Sequence, residues 1–239
     1  RYTPSMLRLI MSMLLGRKLR HPPYTLEDMA ADTVGLLDAL NIAQAHIVGV
    51  SMGGMIAQII AARYPQRILS LTSIMSTSGD RKASAMELRD LRKIFLRPRP
   101  PSDATRDQVV EHMASTYEII GSAEHLREVS YLRKMLSDSF DRGYYPAGFM
   151  RQTTAIVANG SRRALLKKIS APTLVIHGKR DILVPPGGGL DTAAHIRGAR
   201  MELIDDMGHD LAPGLWNTIS SLIIQHCRQA AVTAGKTGA

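Results

Sequence analysis

The sequence predicts an α/β protein: a mainly parallel sheet with flanking helices, interrupted by one long helical insertion. Three observations lead there. Short apolar runs bounded by turn residues recur around Val48, Leu71, Val175 and Leu203, as strands buried on both faces of a sheet do. Helical patterns separate the first pair of runs and the last pair, and that alternation builds parallel sheet. From Gly79 to about Lys168 the alternation stops. Amphipathic helical segments take over, broken by Arg97-Pro98-Arg99-Pro100-Pro101 and by Tyr145-Pro146. The expected division is a core of residues 1–78 and 169–239 and a helical lid or cap of residues 79–168.

Size and composition set the outer limits. A chain of 239 residues, 45% hydrophobic and 21% charged, buries one sizeable core with room for an inserted subdomain. Lys and Arg outnumber Asp and Glu by 30 to 21, giving a net charge of +9. Such an excess draws attention to nucleic acid or an anionic surface. The basic residues are spread along the chain, however, with local clusters at 17–20, 97–99 and 162–168, and no nucleic-acid-binding motif accompanies them, so no such partner is expected. The single cysteine, Cys227, excludes an internal disulfide and a cysteine-based zinc site and points to a reducing, cytoplasmic compartment. No metal or cofactor motif is present.

In chain order, Arg1 is an unusual first residue and points to a fragment. Met6 to Leu15 is apolar with basic flanks, too short to span a bilayer and interrupted by Arg8, with no small-residue cleavage site behind it. It reads as a helix packing on the domain, with contact between residues 6–20 and a membrane or lipid surface as the alternative. Pro22-Pro23 ends it. Thr25 then caps a helix, with Asp28 as its reciprocal partner. Leu26, Met29, Thr33, Leu36, Leu37 and Leu40 are expected on its packed face.

The stretch Ala45 to Ala62 joins an apolar run, Ile47-Val48-Gly49-Val50, to Met52, Met55, Ile56, Ile59 and Ile60 at helical spacing. The joint reads Gly49-Val50-Ser51-Met52-Gly53, a G-x-S-x-G between a strand and a helix. A sharp turn there holds its central residue in a strained conformation, and Gly49 and Gly53 are expected to let the backbones pass closely. Tyr64-Pro65 stops the helix, and Ile68 to Ile74 is the next strand. Beyond the insertion, whose Met86, Met113, Met135, Phe149 and Met150 read as packing core or as the lining of an apolar pocket, Thr173 to His177 forms a strand ending at Gly178. Pro185 to Gly189 opens a helix without the spacing or lysine of a phosphate loop, Met201 to Ile204 is the last strand, and Leu215, Ile219, Leu222 and Ile223 line a closing helix. Asp210 is expected to cap that helix.

The elbow and its surroundings, SMGGMIAQ, resemble the serine esterase and lipase members of the α/β-hydrolase family. A serine hydroxyl needs a base within hydrogen-bond reach and a third group to orient that base. Histidine suits the first role and a carboxylate the second. In a parallel sheet the loops that follow the strands gather along one edge. Ser51, Asp181 and His209 each follow a predicted strand, in the order Ser, Asp, His of the α/β-hydrolases. By resemblance, His209 in Gly208-His209-Asp210 matches the family's G-H motif, Asp181 its acid after the penultimate strand, and the Met52 N–H one donor of its oxyanion hole. Asp205 and Asp206 are rival acids, but they share the loop of His209 and sit poorly for orienting it. His177, at a strand end, reads as a structural histidine.

The resemblance runs from Tyr24 onward and also marks what is not legible. Family members carry about four further strands before the nucleophile strand, and the loop after the third supplies the second oxyanion donor. Neither is found here, so the expected sheet is incomplete on its N-terminal side and open at that edge. The resemblance implies hydrolysis of a carboxylic ester with an apolar moiety, without a cofactor. A haloperoxidase or perhydrolase, a thioesterase and a C–C bond hydrolase share the same residues and stay open. So does a non-catalytic binding protein, which retention of both Ser51 and His209 disfavours.

Overall fold

The computed structural model describes residues 22–237 except 99 and 102; the segment 6–20, read above as a packing or surface helix, lies outside the described residues. Helix α1, Leu26–Ala39, starts where the capping pattern places it: the Thr25 hydroxyl accepts from the Asp28 N–H at 3.1 Å, and the Asp28 carboxylate accepts from the Thr25 N–H at 2.8 Å. Its buried face is Leu26, Ala30, Val34 and Leu37. Leu36 and Leu40, expected on that face, are 58% and 59% exposed. The packed stripe steps by three or four residues from Leu26 to Leu37, and Leu36 lies about 100° around the helix from it.

Strand β1, Ala45–Val50, leads into helix α2, Met52–Arg63, and strand β2, Ile68–Ile74. Strand β3 is Thr173–Gly178 and strand β4 is Arg200–Ile204. The four lie in the order β1-β2-β3-β4, every pair parallel. The register sets Val50 beside Ile74, Ile74 beside Ile176 and Gly178 beside Ile204. The C-terminal ends of all four strands therefore fall along one edge, where the loops carrying Ser51, Asp181 and His209 begin. Among the described residues β1 is an outer strand, and its Val48 and Val50 are 42% and 36% exposed.

Between β2 and β3 the chain forms α3 (Leu88–Phe95), α4 (Arg106–Ile120), α5 (Val129–Gly143), α6 (Pro146–Asn159) and the short α7 (Arg163–Leu166), with no strand among the described residues of that segment. Val110, Ala114 and Leu136 make a small core of its own, against which Met113, Met135 and Phe140 pack. Two of the methionines expected to be core or pocket are thus core, whereas Phe149 is 59% exposed. After β3, α8 spans Gly187–Ala194, and α9, Trp216–Thr237, closes the fold. One apolar cluster packs α1 and α2 against Ile68 and Leu71, and another packs Leu215 and Ile219 against Ile74, Leu174 and Ile176.

The exit of the helical segment is bolted to the core by a buried cation. Arg162 is 4% exposed. Its backbone N–H donates to Ser78 O at 2.7 Å, and its guanidinium donates to Gln58 Oε1 on α2, Asn159 Oδ1 and Thr77 O. Burial pushes this guanidinium down to about 10, with the charge of Glu27 opposing the shift. Among the described residues no helix is long and apolar enough to cross a membrane.

Candidate active site

The strand-to-helix joint is as sharp as its sequence requires. Ser51 has φ 53° and ψ −119°, a region that side chains other than glycine enter at a cost. Its N–H continues the ladder to Ile74 O at 2.9 Å, while its carbonyl already accepts from Gly54 and Met55 as the first turn of α2. One residue thus joins the strand ladder to the first turn of the helix. A Cβ on Gly49 would lie 2.2 Å from the Gly53 carbonyl oxygen, so only glycine fits at 49.

Gly53 does not play the matching part expected of it: among the described residues a Cβ there meets nothing within 4 Å. Gly53 gives its carbonyl, not its Cα, to the crossing. The second close approach belongs to Gly54, whose Cβ would stand 2.6 Å from that of Ser76.

Across the edge of the sheet, three loops meet. His209 Nε2 lies 2.9 Å from Ser51 Oγ, across 158 positions of sequence, and His209 Nδ1 lies 2.7 Å from Asp181 Oδ2. A carboxylate only accepts, so the proton of the neutral ring sits on Nδ1, which leaves the Nε2 lone pair facing the serine hydroxyl. The His209 side chain is 9% exposed and that of Asp181 is fully buried. Asp181 is held by its own turn as well: Oδ1 accepts from the N–H groups of Leu183 at 3.0 Å and Val184 at 2.8 Å. Burial alone would raise this carboxyl. Hydrogen bonds from His177 and His209, the His209 charge and the Val184 N–H outweigh it and hold Asp181 below the usual carboxylate range.

His177, fully buried, does more than fill space. Its Nε2 lies 2.8 Å from Val184 O and 3.5 Å from Asp181 Oδ2. Both neighbours are acceptors, so Nε2 carries the proton and faces the same Asp181 oxygen, Oδ2, that His209 Nδ1 reaches. Nδ1 has no partner. Position at a strand end did not reveal this contact. The spacing to Asp181, four residues on, was the available signal.

The rival acids are elsewhere. Asp205 pairs with Lys179 at 2.6 Å, and Asp206 faces Arg180 and His125 at 3.7 Å each. Asp210 does not cap the closing helix. Its Oδ1 accepts from the N–H of Ser122 at 2.9 Å and from the Ser122 hydroxyl, because the helical segment packs against this loop, whereas α9 begins six residues further on, at Trp216.

Residues 15–212 match the sequence pattern of the alpha/beta hydrolase fold. The chain belongs to this family. Similar members of the alpha/beta hydrolase fold family include the rhodomycin D methylesterase DnrP of Streptomyces peucetius, 25% identical over 226 residues that cover 88% of this chain and 76% of the relative. The 2-hydroxymuconate semialdehyde hydrolase of Pseudomonas sp. strain CF600 is 30% identical over 179 residues, 74% of this chain and 59% of that one. Among solved structures, the enol-lactonase of Burkholderia xenovorans LB400 superposes with a TM-score of 0.62 at 24% identity, over 85% of this chain and 72% of the other; that likeness concerns the fold alone. Relatives in sequence include two methylesterases and a semialdehyde hydrolase, and they support a hydrolase here.

Proposed function

We propose that this chain is a serine hydrolase that cleaves a carboxylic ester through an acyl-enzyme on Ser51. The observation that carries the reading is the unbroken chain from Asp181 through His209 to Ser51, at 2.7 and 2.9 Å, ending on a serine in a strained elbow. Ser51 Oγ attacks the ester carbonyl as its proton passes to His209 Nε2. Charge develops on the carbonyl oxygen, and the Met52 N–H, at the start of α2, is the donor the elbow supplies for it. His209 then gives the proton to the departing alkoxide, leaving the acyl group on Ser51. A water, deprotonated by His209, attacks the acyl carbon, and the proton returns to Ser51 as the acid leaves. Throughout, Asp181 keeps the Nδ1 proton in place and stabilises the imidazolium.

Residues 79–168 are assigned the choice of substrate, which is an ester bearing an apolar group. The methylesterases among the relatives accord with acyl chemistry of this kind. The test is kinetic. Ser51→Ala and His209→Ala each lower hydrolysis of a short-chain chromogenic ester by several orders of magnitude, and the double variant loses little more than either, because residues that act as one unit are strongly non-additive. Parental turnover in Ser51→Ala would remove the assignment, and additive losses would separate His209 from it. Exchanging 79–168 for the segment of a related hydrolase should move chain-length preference with the chemistry intact.

A further inference from the structure

The loop that carries His209 is not held by the sheet alone. The helical segment between β2 and β3 reaches it with one turn, residues 120–123, where α4 ends. His209 N–H donates to Ile120 O at 2.7 Å, and Ala123 N–H donates to Asp206 O at 2.8 Å. Between these two clamps, the Gly208 N–H donates to Ser122 Oγ at 3.0 Å, the Ser122 N–H donates to Asp210 Oδ1 at 2.9 Å, and the Ser122 hydroxyl donates to the same oxygen. Every residue from 208 to 210 is tied to the segment. Ser122 is 1% exposed, and Ile120 and Ala123 are 6% and 4% exposed.

Direction and fit make the strap specific. The Asp210 carboxylate accepts only, so the Ser122 hydroxyl must donate to it and present a lone pair to the Gly208 N–H. The two segments touch backbone to backbone: a Cβ on Gly208 would lie 2.2 Å from the Gly121 carbonyl carbon. A buried, closely packed contact of this kind transmits small displacements, because such interiors are dense and stiff.

We propose that Ser122 and Asp210 are positioning residues that act through His209, so that the helical segment supports the base. The proposal rests on the Ser51-His209-Asp181 reading above. Neither residue touches the reacting atoms. Ser122 fixes the height of the loop through Gly208, and Asp210 fixes its lateral place, which together set the distance from His209 Nε2 to Ser51 Oγ. A misplacement of about 1 Å at a catalytic group costs on the order of 100-fold in rate. Loosening the strap is therefore expected to act on kcat while leaving substrate binding nearly intact.

The experiment uses the full 239-residue chain and three variants, Ser122→Ala, Asp210→Ala and the conservative Asp210→Asn, which keeps an oxygen able to accept from Ser122. Hydrolysis of a short-chain chromogenic ester and amide hydrogen exchange are measured on each, and Ser122→Ala is also placed in a His209→Ala background. Expected are a fall in kcat of roughly 10- to 100-fold in Ser122→Ala and Asp210→Ala with KM changed little, and near-parental kcat in Asp210→Asn. The Gly208 and His209 amides should exchange roughly five- to tenfold faster in Ser122→Ala. In the His209→Ala background Ser122→Ala should change turnover no further, since its effect passes through the imidazole. Unchanged kcat in Ser122→Ala, with or without faster exchange, overturns the proposal, as does an equal loss with His209 absent. A parent whose turnover survives Ser51→Ala overturns the hydrolase reading itself and is told apart by that control.

Discussion

The guanidinium of Arg162 and the side-chain oxygen of Gln58 meet at 3.2 Å in the interior, joining the exit of the helical segment to the helix that follows Ser51. Gln58 Nε2 donates onward to Ser73 Oγ on β2, also at 3.2 Å. Removing the cation leaves Gln58 Oε1 and the Thr77 carbonyl without this donor inside the protein. Arg162→Met is expected to destabilise by roughly 2–4 kcal/mol, the usual size for breaking buried hydrogen bonds to a charged group. Denaturant unfolding with unchanged m-value checks it. A loss under about 0.5 kcal/mol, the size of an ordinary surface substitution, would show that these bonds are replaced by water at no cost.

The glycines of the elbow should separate cleanly. Gly49→Ala drives a Cβ into the Gly53 carbonyl, and the joint must open or the fold weaken by several kcal/mol, of order 3 or more. Gly53→Ala meets open space in the first turn of a helix, where alanine is favoured by up to about 1 kcal/mol. Melting temperatures of the two variants should move in opposite directions or, at the least, differ by several degrees. Equal losses would contradict the asymmetry.

Asp181 links stability to pH. Its folded-state carboxyl titrates below the ordinary range, so its contribution is fully present above the unfolded value, about 3.9. That contribution is lost as pH falls through the lower folded value. Between pH 6 and pH 3 the parent should therefore lose more stability than Asp181→Asn, which has no carboxyl to protonate. Denaturant midpoints across that interval read the difference directly. Parallel curves would mean that Asp181 titrates alike in the folded and unfolded chains.

His177 should support Asp181 through its Nε2 proton. His177→Phe removes that donor from Val184 O and from the Asp181 carboxylate, and is expected to cost roughly 1–3 kcal/mol. It should also narrow the stability gap between pH 6 and pH 3, because one bond that lowers the carboxyl is gone. His177→Gln, with an amide N–H of similar reach, should recover part of both. A His177→Phe protein with the parental acid profile would limit this side chain to packing.

The sheet and the three loops were legible because the signals are local. An apolar run of five or six residues, a stop at Tyr64-Pro65, and a capping pair at Thr25 and Asp28 each specify their own element. Once the strands are parallel, the loops of Ser51, Asp181 and His209 must share an edge. What escaped the sequence depends on contacts far along the chain. Asp210 follows local grammar as a helix cap, yet a serine 88 positions earlier takes its oxygen. Ser122 belongs to no motif at all. Gly53 stands in a symmetrical pattern, and only the crossing geometry shows that Gly49 and Gly54 meet the obstacles. The packed face of α1 was misplaced for Leu36 and Leu40, because leucines on adjoining stripes of a helix look alike until the partner is in place.

The central claim is that Ser51 becomes covalently acylated, and reaction with an active-site fluorophosphonate tests it most directly. Intact mass of the treated chain, followed by peptide mapping, should show a single adduct on the peptide containing Ser51. The adduct should be absent from Ser51→Ala and greatly slowed in His209→Ala, whose serine has lost its base. An unlabelled parent under conditions that label a known serine hydrolase, or an adduct on any residue other than Ser51, would contradict the account.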